Sequence, residues 1–152
     1  ILLPIDDAKI KVKIKGFIDR IDRAGSTIRI IDYKTGNVKK DEITIKTYEQ
    51  LISESKLAKS LQLLTYAYLF NKNTNTLNLS TGIFTFRSLS KGFCSVTCPD
   101  TKSDIIDIAN LQEVENALLK IISSIFDKNI PFTQTADTKI CKNCPFTEIC
   151  NK

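Results

Sequence analysis

Alternating lysine and aliphatic residues form the first clear pattern of the chain. In residues 9–15 every second residue is a lysine, in the run Lys-Ile-Lys-Val-Lys-Ile-Lys. Because successive side chains of a strand point to opposite faces, this alternation predicts a strand with one basic and one apolar face. We expect this strand to continue through Gly16 as far as Asp19.

A second strand is predicted directly after the first. Residues 22–26 (Asp-Arg-Ala-Gly-Ser) are typical of a turn, and residues 27–33 are rich in β-branched side chains. Thr35 and Gly36 then end the strand. The two strands are therefore expected to pair as a hairpin.

Helices and a further strand pair are predicted in the rest of the chain. Leucine and aromatic residues recur at helical spacing over residues 48–70 and again over residues 105–127, where Ser103 or Asp104 can cap the helix. Between them, after the polar segment 71–78, two short apolar runs predict antiparallel strands at 82–87 and 93–97. This order of elements predicts a mixed α/β (α+β) fold with one central sheet flanked by helices.

Composition limits the classes of function. The 152 residues suit a single domain, 1–152, and the net charge of +5 is compatible with a polyanionic partner. The chain has no histidine, which excludes Ser-His-Asp and Cys-His catalysis within it. Because no apolar run reaches the roughly 18 residues of a membrane span, we expect no membrane partner and a cytoplasmic location.

Charged residues stand in an apolar part of the predicted hairpin. Asp32 and Lys34 share one strand face, and Asp19 can lie beside Asp32 on the neighbouring strand. Two carboxylates and a lysine suit Mg²⁺, which takes one or two carboxylates and leaves room for phosphate oxygens. The alternative is that these residues form ordinary ion pairs at a sheet edge.

Three sequence stretches resemble a known family. The stretches are GFIDRID (residues 16–22), IIDYKTG (residues 30–36) and QLLTY (residues 62–66). They are similar to the RecB/AddB branch of the PD-(D/E)xK nuclease superfamily. The resemblance implies a restriction-endonuclease-like core and a metal-dependent deoxyribonuclease activity.

The resemblance also implies roles for individual residues. Asp19, Asp32 and the main-chain carbonyl of Tyr33 would bind Mg²⁺ or Mn²⁺, and Lys34 would be catalytic. The family's Gln-x-x-x-Tyr signature falls on Gln62 and Tyr66, which lie on one helix face. The alternative for that pair is a solvated glutamine and a core tyrosine.

The sequence lacks one metal ligand that the resemblance leads us to expect. Domains of this branch usually carry a metal-binding histidine or acidic residue on a helix upstream of the hairpin. Asp6 or Asp7 could substitute for it. Otherwise we expect the chain to be the C-terminal part of a longer protein that contains this helix, or to lack nuclease activity.

The cysteines near the end of the chain form a second motif. Cys141, Cys144 and Cys150 stand in a C-x2-C-x5-C arrangement within a cysteine-bearing tail, residues 137–152. Five cysteines without signs of secretion favour metal ligation over disulfides. The tail resembles that of AddB-type and CRISPR-associated exonucleases, which implies a [4Fe–4S] cluster with a fourth, upstream cysteine. Structural Zn²⁺ is the alternative.

Two further cysteines and two groups of lysines complete the candidates. We expect Cys94 to be a structural thiol and Cys98 to be either structural or an additional ligand. The lysines of residues 9–15, with Lys39 and Lys40, could contact DNA without sequence preference; the alternative is that they only keep a sheet edge soluble.

The leading hypothesis is an exonuclease module that acts with a helicase partner in DNA recombination and repair; the helicase is implied by the resemblance alone. One alternative is a catalytically inactive DNA-binding or scaffolding domain of the same fold. Another is a small zinc-bound structural domain.

Overall fold

The computed structural model describes residues 2–4, 11–99, 103–131, 133–135, 138–142 and 144–150. Its strands are β1 (Leu2–Pro4), β2 (Lys11–Lys13), β3 (Arg20–Ala24), β4 (Thr27–Lys34), β5 (Leu79–Thr85) and β6 (Cys94–Ser95). Its α-helices are α1 (Gln50–Ser53), α2 (Ala58–Thr74), α3 (Ile108–Phe126) and α4 (Thr138–Cys141). Short 3-10 segments occur at Lys40–Glu42, Ser55–Leu57 and Phe86–Lys91.

The central sheet has four strands in the order β3-β4-β5-β6. β4 pairs in parallel with β5, whereas β3 and β6 are antiparallel to their neighbours. A hairpin forms, but its first strand is β3 rather than the predicted strand that ends at Asp19; β3 includes part of the predicted turn at residues 22–26, and Gly25 and Ser26 join it to β4. Gly25 has a φ of 61°, a conformation that glycine adopts without steric cost.

The predicted first strand is partly wrong. Its described part is β2, which pairs with β1 in a separate two-stranded sheet and does not join the central one. The chain then leaves strand geometry between Ile14 and Asp19 and passes over α2, where Gly16 lies against the ring of Tyr66. A continuous strand would not bring the backbone to that ring.

The helical predictions need two corrections. Residues 48–70 do not form one helix, because Glu54 is extended (φ −113°, ψ 105°) and separates α1 from the 3-10 segment before α2. Glu54 accepts a hydrogen bond from Gln50 and pairs with Lys56, so its side chain stabilises the break. α2 also continues past residue 70 to Thr74, and Asn75 ends it in the left-handed conformation.

The last long helix begins later than the pattern indicated. Its N-cap is Asp107, rather than Ser103 or Asp104, and the Asp107 carboxylate accepts a hydrogen bond from the backbone N–H of Asn110. The Asn110 side chain accepts one in return from the Asp107 backbone N–H, so the two residues form a reciprocal cap. The segment before Asp107 forms an isolated bridge to β5 through Ile106.

Both long helices contribute to one core on a single face of the central sheet. Ile30, Leu79 and Ile83 belong to this core from the sheet, together with Leu64 of α2 and Val114 of α3. The structure is a mixed α/β fold with a four-stranded mixed sheet flanked by helices, consistent with a restriction-endonuclease-like core. In the described part of the chain, no helix is long and apolar enough to cross a membrane.

Gly82 is the point of closest approach between β5 and β6. A Cβ atom built on Gly82 would lie 2.4 Å from the backbone oxygen of Cys94 and 2.8 Å from the Cα of Ser95. Because these are backbone atoms, they cannot move aside without displacing β6.

We expect Gly82→Ala to lower the free energy of unfolding by about 1–3 kcal/mol, as overpacking of a close-packed interior does. Urea unfolding monitored by circular dichroism would measure the change. Gly36→Ala is the matched control, because no atom lies within 4 Å of a Cβ built there. Equal stability of the two variants would show that β6 adapts to the added methyl group.

Candidate active site

Asp32 and Lys34 project from the same face of β4 at its carboxyl end. Asp32 is only 5 % exposed, because β4 lies between two neighbouring strands and under α2. The ammonium nitrogen of Lys34 lies 2.9 Å from Oδ2 of Asp32, and the Lys34 side chain remains about one-third exposed. A buried carboxylate is costly without a compensating charge, and Lys34 supplies that charge while still reaching solvent.

Asp19 lies directly before β3, the strand that pairs with β4. Arg20 pairs with Ile31, so continuing this register by one residue places Asp19 opposite Asp32. The Asp19 carboxylate accepts a 2.8 Å hydrogen bond from the backbone N–H of Tyr33. This hydrogen bond holds the exposed Asp19 carboxylate next to the peptide bond between Asp32 and Tyr33.

Gln62 and Tyr66 extend the polar group from the first turns of α2. The Lys34 ammonium donates to Oε1 of Gln62 at 3.4 Å, and Nε2 of Gln62 donates to the Tyr66 hydroxyl at 2.9 Å. An ammonium has no acceptor capacity, so this contact requires the amide oxygen of Gln62 to face Lys34. A continuous polar chain therefore runs from Asp32 through Lys34 and Gln62 to Tyr66.

Gly16 supports this chain and was not assigned a role from the sequence. A Cβ atom at Gly16 would lie 2.6 Å from Cε1 of Tyr66, so the glycine lets the backbone rest on the tyrosine ring. A glycine at the end of an alternating strand pattern is a general sign of close backbone approach, but it does not name the partner.

The donors at this site have the chemistry that a hard divalent cation requires. Asp19 and Asp32 supply carboxylate oxygens at opposite positions of the β3–β4 register, and the Asp32 carboxylate is buried with the Lys34 ammonium 2.9 Å from its Oδ2. In the described part of the chain, no three or more His, Cys, Asp or Glu residues lie together in a group able to hold a metal. Two carboxylates and a carbonyl suit Mg²⁺, which keeps several of its waters.

The cysteine tail forms short turns that follow α4. The backbone N–H of Cys144 donates to the carbonyl of Cys141, and the N–H of Phe146 donates to the sulfur of Cys144 at 3.4 Å. Cys141, Cys144 and Cys150 are half-buried free thiols. The structure brings Cys141 and Cys144 into one turn but, within the described residues, assembles no three-ligand site.

The remaining candidates have different positions. Cys94 is a half-buried thiol on β6, and Cys98 packs in the hydrophobic core as a structural thiol does. The lysines of β2, together with Lys15, Lys39 and Lys40, are exposed. Lys9, Asp6 and Asp7 lie outside the described residues.

The comparisons with known proteins agree with this geometry at the level of a superfamily. A family model described as the PD-(D/E)XK nuclease superfamily matches residues 2–151, and this match does not distinguish the RecB/AddB branch. No curated protein and no solved structure matches the chain at a significant level. Because the family match extends over nearly the whole sequence, the chain belongs to the PD-(D/E)XK nuclease superfamily, whose members are generally nucleases that use divalent metals.

Proposed function

We propose that the chain is a divalent-metal-dependent deoxyribonuclease whose active site is formed by Asp19, Asp32, Tyr33, Lys34 and the Gln62–Tyr66 pair. The observation that carries the proposal is the polar chain that starts at the buried Asp32, passes through the partly exposed Lys34 and ends on α2. An ion pair that served only stability would not need a glutamine and a tyrosine aligned behind its lysine.

Asp19, Asp32 and the main-chain carbonyl of Tyr33 would hold Mg²⁺ or Mn²⁺. A cation bound there would polarise a phosphodiester oxygen and lower the pKa of a bound water. The buried Oδ2 of Asp32 and the exposed carboxylate of Asp19 would contribute oxygens from the two strands. The Tyr33 N–H fixes the Asp19 carboxylate close to this position without substrate.

Lys34 would stabilise the negative charge that develops on the phosphate during hydrolysis. Its ammonium already lies at the carboxyl end of β4, paired with Asp32 and partly open to solvent. Gln62 accepts a hydrogen bond from this ammonium and itself donates one to Tyr66, so we assign these two side chains to positioning the lysine. Preorganised donors of this kind contribute because they need no reorganisation during the reaction.

The substrate that we propose is DNA, bound without sequence preference. Exposed lysines precede β3 and follow β4, and such residues bind phosphates irrespective of the base. The finer role, an exonuclease that works with a helicase in recombination and repair, rests on the resemblance to the RecB/AddB branch.

We also propose that Cys141, Cys144 and Cys150 ligate a [4Fe–4S] cluster that holds the tail in place, with the fourth ligand supplied elsewhere. Supporting this proposal, Cys141 and Cys144 lie in one turn, and the Phe146 N–H donates a hydrogen bond to the Cys144 sulfur. Zn²⁺ is the alternative, and the metal content distinguishes the two.

Removing the lysine charge tests the nuclease directly. We expect Lys34→Ala to reduce Mg²⁺-dependent degradation of end-labelled linear DNA by about 100-fold or more, because a preorganised charge is lost from the transition state. Lys128→Ala is the matched control, since Lys128 is an exposed lysine beyond α3. Cleavage that is equal in both variants would contradict the role of Lys34. DNA binding without cleavage by the wild type would favour the inactive scaffolding domain.

Metal binding has a separate readout in thermal unfolding. A cation at about 100 times its dissociation constant stabilises the folded state by about 2.7 kcal/mol. We therefore expect Mg²⁺ or Mn²⁺ to raise the unfolding midpoint of the wild type but not that of Asp32→Ala. Asp104→Ala, which removes an exposed carboxylate elsewhere, should retain the shift. A shift that persists in Asp32→Ala would place the cation at another site.

The metal content of the purified protein tests the role proposed for the cysteine tail. We expect the purified protein to contain iron with visible absorbance, and Cys144→Ser to lose both, because the cluster would lose a thiolate ligand. Cys94→Ser should retain the iron, since Cys94 lies on β6. Zinc without iron in the wild type would identify the alternative cofactor.

A further inference from the structure

The central sheet has a second face, opposite the face on which α2 packs; Ile31 on this face is buried. Side chains alternate along β4, so Ile30 and Asp32 face α2 whereas Ile31 and Tyr33 face the opposite side. Phe84 shares this opposite face, because it pairs with Tyr33 in the parallel register of β4 and β5. Aromatic rings of β4, of β5 and of the segment between β5 and β6 therefore meet on the side of the sheet away from the main core.

These rings form a row, which we call the aromatic row: Phe93, Phe84, Tyr33 and Phe86. Neighbouring ring centres are 5.7 Å apart for Phe93 and Phe84, and 6.3 Å apart for Phe84 and Tyr33. Tyr33 and Phe86 are 5.4 Å apart and stacked, with 18° between their planes. Phe86 is 58 % exposed, so the row ends in a ring with an accessible face.

Arginines border the aromatic row. The Arg29 guanidinium lies 5.1 Å from the centre of the Phe93 ring, and Arg20 donates a 3.3 Å hydrogen bond to the Tyr33 hydroxyl. Arg29 also pairs with both oxygens of Asp22 and holds the pKa of that carboxyl below its usual value by hydrogen bonding. The acid on this face is therefore already neutralised by its own partner.

The segment that begins at Phe86 carries positive charge. Arg87 and Lys91 follow it in the same 3-10 segment, and both are exposed. No acidic residue occurs in the sequence between Glu54 and Asp100. An apolar protein segment is a poor match for such a surface, since the cores of protein interfaces are depleted of charged residues. A polyanion that carries flat rings is a good match.

The aromatic row ends at the edge of the sheet that carries the candidate catalytic lysine. Lys34 pairs with Thr85, and Phe86 is the next residue after Thr85. A chain lying along this edge could therefore contact Lys34 on one side of the sheet and Phe86 on the other.

We propose that Phe86 and Arg87 form a base-stacking subsite for single-stranded nucleic acid beside the candidate active site. This inference rests on the proposed function, and it specifies the form of the substrate. An unpaired base stacks on the exposed ring of Phe86 at the end of the aromatic row, and Arg87 neutralises the phosphate next to that base. In a duplex the base faces are covered by neighbouring bases, so the subsite favours single strands.

Affinity measurements in EDTA test the subsite without cleavage. We expect Phe86→Ala to bind a labelled single-stranded oligonucleotide at least about fivefold more weakly than the wild type, with little change for a duplex of the same sequence. Phe126→Ala removes an exposed phenylalanine at the end of α3 and should not change either affinity. Phe86→Trp should retain single-strand binding, because stacking needs only an aromatic ring. Equal single-strand affinity for the wild type and Phe86→Ala, or no binding by either, would overturn the proposal.

The chain has no tryptophan, so Phe86→Trp also provides a unique fluorescent reporter. We expect the single-stranded oligonucleotide to quench its emission, while the emission of Phe126→Trp stays unchanged. Emission that is already blue-shifted in the free protein and insensitive to the oligonucleotide would show that protein covers the ring, and would overturn the proposal.

Failure of this inference can be separated from failure of the proposed function. Metal-dependent cleavage by the wild type, without quenching in Phe86→Trp, would leave the nuclease intact and remove the subsite. Quenching and single-strand affinity without any cleavage would support the subsite and remove the nuclease.

Discussion

The parallel pairing of β4 with β5 is the constraint on which the rest of the structure depends. Parallel neighbours cannot be joined by a tight turn, so the chain between them must cross over one face of the sheet. α2 forms the main part of this crossover and packs on the face that carries Ile30. The same packing places Gln62 next to Lys34. The contact between the helix and the candidate catalytic lysine is therefore a consequence of how the two strands pair.

The buried carboxylate of Asp32 is acceptable only within this arrangement. An isolated charge at 5 % exposure would be strongly destabilising, and Lys34 compensates for it at 2.9 Å. Gln62 and Tyr66 then satisfy the polar groups behind the lysine. A site built this way is rigid before substrate arrives, which suits electrostatic stabilisation of a transition state. The Asp32 carboxylate and the Lys34 ammonium, whose charges are costly to bury, are thus also the groups to which we assign the proposed chemistry.

Successive side chains of β4 point to opposite faces of the sheet, and the two faces have different surroundings. Asp32 and Lys34 face the helix, whereas Tyr33 between them faces the aromatic row. The backbone of Tyr33 hydrogen-bonds to Asp19, and its ring stacks on Phe86. Tyr33 therefore connects the candidate metal-binding edge to the aromatic row.

The sequence by itself determined the local features of this protein. The turn residues and the β-branched run predicted β4 as the second strand of a hairpin, although not the residues of its partner β3, and the Asp-Tyr-Lys spacing placed Asp32 and Lys34 on one face, because these patterns depend only on strand geometry. The tertiary structure decided the features that join distant segments. Examples are the contact of Gly16 with Tyr66, the rings that meet at Tyr33, and the bridge through Ile106 that precedes the Asp107 cap. Residues 27 or more positions apart meet there through strand pairing and packing, which leave no periodic signal in a single sequence.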